Sequence, residues 1–206
     1  MEAFVELTGM AAPLLRSNMD TDLIIPMERM LNHSISREGL GPHLLAALRF
    51  NADGSENTDC VLNHPLFKNA RILLAGENFG CGSSREPAVW TLIQYGIRCV
   101  IAPSYGGIFA NNCFKNGLLP VHLPAAQIQA LAAVAEQGEM TVSLSKRRVL
   151  APGGLSVEFS IEDFRRTMMM EGLDQIGLAQ SFAADIDSFQ LRDRTLRPWI
   201  YDWQRA

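Results

Sequence analysis

One stretch of the chain combines hydroxyl, guanidinium and carboxylate side chains with two glycines. It spans residues 80–86 and reads Gly-Cys-Gly-Ser-Ser-Arg-Glu. The guanidinium of Arg85 can bind a carboxylate through two parallel hydrogen bonds. The hydroxyls of Ser83 and Ser84 can donate a hydrogen bond to the same ligand or take a proton from it. These residue types predict a turn that binds a carboxylate, with the serines as candidate proton acceptors.

The flanking sequence predicts which elements position this turn. Residues 72–75 are all apolar and short enough for a buried strand. Residues 87–95 carry apolar side chains at helical spacing, and Pro87 suits the first turn of a helix. A strand, a glycine turn and a helix in this order direct unpaired backbone N–H groups at a ligand above the turn. The helix dipole makes the same place favourable for an anion.

The pattern also has a plain alternative, a solvated turn whose serines only cap a helix. Three better-known motifs do not fit. A phosphate-binding Walker loop requires a lysine that this turn lacks, and the dinucleotide-binding fingerprint requires a third glycine where Arg85 stands. A nucleophile elbow places glycines two residues either side of the nucleophile, but Cys81 and Arg85 hold those positions around Ser83.

Three segments together resemble the mobile, or swivel, domain of the aconitase superfamily. Residues 77–86, Glu-Asn-Phe-Gly-Cys-Gly-Ser-Ser-Arg-Glu, resemble its signature and are most similar to the small subunits of 3-isopropylmalate dehydratases. Residues 18–26, Asn-Met-Asp-Thr-Asp-Leu-Ile-Ile-Pro, resemble its second motif, and residues 172–174, Gly-Leu-Asp, its end. The chain departs from the family at Pro87, where histidine is common, and this departure leaves the exact substrate open.

The resemblance implies roles for individual side chains. Ser83 would be the catalytic base, acting as a deprotonated hydroxyl. Arg85 would bind a substrate carboxylate. Ser84, together with Thr21 and Asp22 of the second motif, would orient the substrate.

The resemblance also implies a reaction, the interconversion of 2-isopropylmalate and 3-isopropylmalate by dehydration and rehydration through isopropylmaleate, in leucine biosynthesis. Met30 and Leu31 would then form an apolar rim for the isopropyl group, although a surface loop is a plain alternative for them. Two other functions stay open. One is the same chemistry on 2-methylmalate (citraconate), homoaconitate or dimethylmaleate, and the other is a non-catalytic relic that binds a carboxylate or a partner.

The cysteine pattern bears on the cofactor. Cys60, Cys81, Cys99 and Cys113 are scattered and form no C-x-x-C pair, so the sequence predicts neither a zinc site nor a self-contained iron–sulfur site. The [4Fe–4S] cluster that the family uses is therefore expected on a separate large subunit, in a heterodimer or heterotetramer. No metal site is expected in this chain.

Composition sets the remaining expectations. The chain has 206 residues, of which 48% are hydrophobic and 19% charged, as in a globular domain with a sizeable core. A net charge of −4 argues against a nucleic-acid binder. No signal peptide and no membrane-spanning run is visible, so a cytoplasmic protein is expected.

The order of elements predicts an α/β fold. Apolar runs near residues 99–104 and 118–123 follow the first strand, with helical segments between them, which predicts a partly parallel sheet flanked by helices. The resemblance implies the β/β/α swivel domain of aconitase. Residues 141–145 and 157–161 alternate and predict an antiparallel pair. We expect the swivel domain over residues 1–182 and a C-terminal extension without an assigned role over residues 183–206.

Overall fold

The structure, a computed structural model, describes residues 1–32 and 39–201, without the side chains of residues 30–32. The chain divides into two compact units, Met1–Gly172 and Leu173–Ala206. The first unit holds a parallel and an antiparallel sheet with helices. The α/β fold with a partly parallel core is thereby confirmed. The extension that we expected from residue 183 lies within the second unit, and its status as a separate domain stays a prediction.

The strands and helices of the described residues are numbered in chain order. The strands are β1 (Glu6–Gly9), β2 (Ala11–Leu14), β3 (Ile72–Ala75), β4 (Cys99–Ala102), β5 (Leu119–His122), β6 (Met140–Ser143), β7 (Arg148–Leu150) and β8 (Ser156–Glu158). The helices are α1 (Thr21–Ile24), α2 (Met27–Asn32), α3 (Ala46–Arg49), α4 (Pro87–Tyr95), α5 (Gly107–Asn116), α6 (Ala125–Ala133), α7 (Asp163–Glu171), α8 (Gln175–Ser181) and α9 (Ala183–Leu196).

The parallel sheet has the order β2-β3-β4-β5, so each strand lies beside its neighbour in sequence. Every residue of β3 and β4 is buried, as expected for central strands of a parallel sheet. Helix α6 packs against β2, β3 and β4, while α4 packs against α5. Because the strands are parallel, their carboxyl ends meet at one edge, where α/β proteins bind their ligands.

The antiparallel sheet has the order β1-β6-β7-β8. The expected direct pairing of residues 141–145 with 157–161 is wrong, because β7 lies between β6 and β8 and pairs with both. Sequence analysis missed β7 because its first residue belongs to the basic run 146–148. Arg147 adopts a left-handed backbone with φ 52°, so the chain reverses there and Arg148 enters β7. Arg148 then forms an ion pair with Glu158 across the strands, at 2.5 Å.

Met10 carries the chain from one sheet to the other. It lies between Gly9, the last residue of β1, and Ala11, the first of β2. Its carbonyl oxygen accepts hydrogen bonds from the N–H groups of Arg71 at 3.1 Å and Ile72 at 3.2 Å. The two sheets of the first unit are thus joined by continuous, hydrogen-bonded backbone.

The second unit is helical. Asp174 caps α8 by accepting a hydrogen bond from the Gly177 N–H at 2.7 Å. The buried Asp193 of α9 accepts hydrogen bonds from Arg197 Nε at 2.7 Å and from the Tyr201 hydroxyl at 2.9 Å. Throughout the described ranges, no helix is both long and apolar enough to cross a membrane.

Gly76 offers a test of the packing around the parallel sheet. It directly follows β3, and the backbone of the loop after β2 passes close to it. A Cβ atom on residue 76 would lie 2.5 Å from the carbonyl carbon of Arg16, which is backbone and cannot rotate away. We expect Gly76→Ala to lower the free energy of unfolding by about 1–3 kcal/mol or more in urea denaturation. Gly107→Ala is the control, since nothing lies within 4 Å of its Cβ position, and it should be neutral or stabilising. Equal stability of the two variants would contradict this account.

Candidate active site

The candidate site lies where three loops meet at the carboxyl edge of the parallel sheet. These loops follow β2, β3 and β4 and continue the strand pairing beyond the strands themselves. Gly80 N–H donates to the Met19 carbonyl at 2.7 Å, and Thr21 N–H donates to the Cys81 carbonyl at 3.0 Å. On the other side, the Phe79 N–H donates to the Ser104 carbonyl at 3.1 Å. The turn at residues 80–86 is therefore held by backbone hydrogen bonds from both neighbouring loops.

The path of the turn depends on three residues with a left-handed backbone. Asn78, Gly80 and Gly82 have φ values of 58°, 70° and 88°. Glycine adopts this conformation without steric cost, and asparagine tolerates it. The Asn78 amide also donates to the side-chain oxygen of Asn18 at 2.8 Å, and Asn18 itself has a φ of 55°. Sequence analysis did not identify this amide pair, because its two members are 60 residues apart.

Helix α1 brings the second motif, residues 18–26, to the turn at residues 80–86, which we call the serine turn. Asp20 caps this short helix by accepting a hydrogen bond from the Leu23 N–H at 2.7 Å. The buried Thr21 donates its hydroxyl to the carbonyl of Ser83 at 3.3 Å, and Asp22 forms an ion pair with Arg85. The structure thus brings Thr21 and Asp22 together with Ser83 and Arg85, although the roles assigned to them stay predictions.

The polar groups of the turn differ in exposure. Ser83 and Ser84 are exposed, whereas the Arg85 side chain is only 16% exposed. Helix α4 begins at Pro87, and its N-cap residue, Glu86, makes no side-chain cap hydrogen bond. The serines therefore do not cap α4, and the plain alternative of serine caps does not describe this turn. Their hydroxyls face solvent beside the amino end of a helix, where an anion is favoured.

Glu86 is bound to the neighbouring helix by contacts that sequence analysis missed. Its carboxylate accepts a hydrogen bond from the Asn116 amide at 2.7 Å, and Trp90 Nε1 donates to the oxygen of the same amide at 3.0 Å. Asn116 ends α5, so these bonds fasten the start of α4 to the neighbouring helix. No local pattern could have revealed them, because the partners meet only through helix packing.

Other site predictions lie beyond what the structure describes. Met30 and Leu31 fall on α2, but their side chains are outside the described residues. Their contribution to an apolar rim stays a prediction.

The cysteines do not fit an iron–sulfur site. Cys60, Cys99 and Cys113 are buried, and Cys81 is half-buried. Burial raises the pKa of the Cys99 and Cys113 thiols, so both stay protonated at neutral pH, whereas a metal ligand is a thiolate. In residues 1–32 and 39–201, no three His, Cys, Asp or Glu side chains are grouped so that they could hold a metal ion.

Comparison with known proteins shows the family. The aconitase C-terminal domain matches residues 1–126, which include both motifs of the site. A 3-isopropylmalate dehydratase small subunit from Rhodospirillum centenum is 50% identical over 202 residues, covering 97% of this chain and 98% of the relative. This chain belongs to the 3-isopropylmalate dehydratase small-subunit family. A family member from Brucella anthropi is 48% identical, over 97% of this chain and all of that relative.

A solved structure in the same family supports the fold. The crystal structure of a 3-isopropylmalate dehydratase from Methanocaldococcus jannaschii superposes with a TM-score of 0.66. The match covers 90% of this chain and 99% of that one, at 24% sequence identity. The swivel-type fold expected from the sequence is thereby confirmed for this small-subunit family member.

Selective labelling of cysteine can test the geometry of the turn. Cys81 is half-buried, whereas the other three cysteines are buried, so we expect a maleimide to modify about one thiol per native chain. Cys81→Ser should abolish the labelling, and unfolding in urea should expose all four thiols. Mass spectrometry of the intact protein and of its peptides measures both outcomes. Labelling of Cys99 or Cys113 before Cys81 would show that the core or the turn is arranged differently.

Proposed function

We propose that this chain is the small subunit of a two-subunit hydro-lyase that interconverts 2-isopropylmalate and 3-isopropylmalate through isopropylmaleate in leucine biosynthesis. One observation carries the proposal. Arg85 and Ser83 share a turn at the start of a helix, and the second family motif contacts that turn through Thr21 and Asp22. This arrangement occurs in a chain that is 50% identical to a named small subunit over almost its whole length.

Arg85 is the group that binds a substrate carboxylate. Its guanidinium has five N–H donors, and the ion pair with Asp22 uses only part of them. The Asp22 side chain is 57% exposed, so the pair contributes little stability and a substrate carboxylate can share or replace Asp22. Until substrate binds, Asp22 keeps the guanidinium beside the serine turn. Both residues thus position the substrate.

Ser83 is the proton acceptor in this proposal. A serine hydroxyl is a weak acid, so it acts as a base only where its oxyanion is stabilised. The positive charge of Arg85 and the positive end of the α4 dipole supply such an environment. Thr21 holds the Ser83 carbonyl and thereby orients the residue, and Ser84 offers a second hydroxyl to the substrate.

The large subunit completes the site. It would carry the [4Fe–4S] cluster, which supplies a Lewis acid for the departing hydroxyl when it is bound. Within residues 1–32 and 39–201 no group of ligands fits that cluster, so in this proposal the present chain contributes the carboxylate clamp and the base. A cytoplasmic location and a heterodimer or heterotetramer remain part of the proposal.

Reconstitution tests the function directly. We expect the isolated chain to show neither iron–sulfur absorbance nor turnover, because its thiols do not form a cluster site. Mixed with the large subunit of the same organism, it should convert 2-isopropylmalate. A panel of 2-methylmalate, homoaconitate and dimethylmaleate, assayed in parallel, measures the preference. Higher kcat/KM for another acid on the panel would reassign the substrate. Iron bound by the isolated chain would contradict the proposal that the large subunit carries the cluster.

Two substitutions in the turn should separate binding from proton transfer. Ser83→Ala should lower kcat by about 10²–10⁴-fold with only a modest change in KM, because the carboxylate clamp remains. Arg85→Lys should lower kcat/KM by about 10²-fold or more, since lysine keeps the charge but loses the planar two-point contact. Steady-state kinetics of the reconstituted enzyme and exchange of the substrate C–H proton with solvent measure both effects.

Stability provides the control for this pair. Ser83 is exposed and does not cap α4, so Ser83→Ala should leave the melting temperature nearly unchanged. A cap would instead contribute about 1 kcal/mol. A destabilised but fully active Ser83→Ala protein would remove Ser83 from the mechanism, and normal kinetics of Arg85→Lys would mean that the carboxylate is bound elsewhere.

A further inference from the structure

The serine turn rests on an aromatic ring from another part of the chain. A Cβ atom on residue 80 would overlap the ring of Phe109, with Cδ2 at 2.6 Å and Cγ closer still. Phe109 is buried, and it lies in the first turn of α5. The ring therefore fills the space in which any other residue at position 80 would carry its side chain. The turn and the ring are in direct contact just before the catalytic serine.

The ring itself is fixed by two aromatic neighbours. Phe79 meets it edge-on, with 5.5 Å between ring centroids, and Tyr105 stacks on it at 6.5 Å with an interplanar angle of 11°. The hydroxyl of Tyr105 lies 2.7 Å from the carbonyl oxygen of Val100 in β4 and 2.8 Å from that of Val121 in β5, and these two acceptors share its single proton. Burial raises the pKa of this hydroxyl, so it stays a donor. The position of the ring is thus set by the parallel sheet.

Gly106 provides a second contact with Gly80, through its backbone. A Cβ atom on residue 106 would lie 2.5 Å from the Gly80 carbonyl oxygen, so the backbones of the two loops touch. The Gly106 N–H also donates to the Phe79 carbonyl at 2.9 Å. The turn therefore cannot move toward α5 while the ring and this backbone remain in place.

We propose that Phe109 is a positioning residue, which holds the serine turn at the height where Ser83 reaches the substrate. This inference rests on the proposed function. It separates the two ends of the turn, because Arg85 is tied by Asp22 and by the start of α4, whereas Gly80 packs directly on the ring in addition to its backbone hydrogen bond to Met19. A smaller side chain at position 109 lets the turn sink into the vacated space. Proton transfer then suffers more than carboxylate binding.

Kinetics of the reconstituted enzyme test this inference. Phe109→Leu should lower kcat for 2-isopropylmalate by about 10–100-fold, since displacement of a reacting group by about 1 Å can cost 10²-fold, while KM changes less than about threefold. Phe67→Leu is the matched control, because Phe67 is equally buried but packs beside His64 and precedes β3, whereas the turn follows β3. It should lower the melting temperature similarly and leave kcat unchanged. An equal loss of kcat in both variants would overturn the inference.

A second measurement does not depend on activity. Hydrogen–deuterium exchange of the free small subunit should be faster over residues 80–86 in Phe109→Leu than in wild type, and unchanged there in Phe67→Leu. If Phe109→Leu does not fold, Phe109→Met, which conserves more volume, takes its place in both experiments. Unchanged exchange over residues 80–86 would overturn the inference.

A double substitution makes the test specific. Gly80→Ala alone should be strongly damaging, because its methyl group meets the ring and its φ of 70° is unfavourable for alanine. Combined with Phe109→Leu, it should cost less than the sum of the two single effects on kcat, because the methyl group enters the vacated space. Strict additivity would contradict contact between ring and turn.

The outcomes for function and positioning are distinguishable. Wild-type enzyme that fails to turn over 2-isopropylmalate after reconstitution would reject the proposed function, on which this inference rests. Active wild type together with a fully active Phe109→Leu enzyme would reject only the role of Phe109.

Discussion

The site depends on backbone hydrogen bonding that continues past the ends of three parallel strands. Without it, the loops after β2, β3 and β4 would be separate surface segments, and residues from two distant motifs would not meet. The bonds from Gly80 to Met19 and from Thr21 to Cys81 make the turn an extension of the sheet. Such bonds require a specific chain path, which explains the left-handed residues at 78, 80 and 82 and the lack of a side chain where Phe109 lies. The fold therefore requires glycine at positions 80 and 82 of the turn, whatever the role of the turn in catalysis.

The charged side chains near the turn are each held by a specific partner. Two carboxylates lie next to Arg85 in sequence or in space, and each has a different partner. Asp22 faces the guanidinium, while Glu86 is held by Asn116 on the neighbouring helix. Had Glu86 faced Arg85 as well, a substrate carboxylate would have met two anions in place of one. The bond between Asn116 and Glu86, the last residue of the turn, therefore leaves Arg85 available.

Prediction from sequence succeeded where the interactions are local in the chain and failed where they join residues far apart in sequence. The central strands β3 and β4 were predictable because each is a run of four apolar residues, and all of these residues are buried. The meeting of Thr21 with Ser83 was inferred from resemblance, since nothing local indicates it. Strand β7 was missed because its first residue belongs to a basic run and only Val149 is buried. Phe109 was missed because an apolar residue in a helix carries no sign of what it touches.

Pro87 can now be judged physically. The resemblance to the family led us to expect histidine at this position, and Pro87 is the first residue of α4. The N–H that proline lacks would have had no partner within the helix, and its fixed φ suits this position, so the helix loses nothing. The Pro87 carbonyl still accepts a hydrogen bond from the Thr91 hydroxyl at 2.7 Å. What disappears is an imidazole that could donate or titrate beside Arg85. The chemistry proposed for Ser83 and Arg85 requires no such group, so in that proposal the substitution bears on which further substrate atoms are contacted and leaves the proposed base and carboxylate clamp in place.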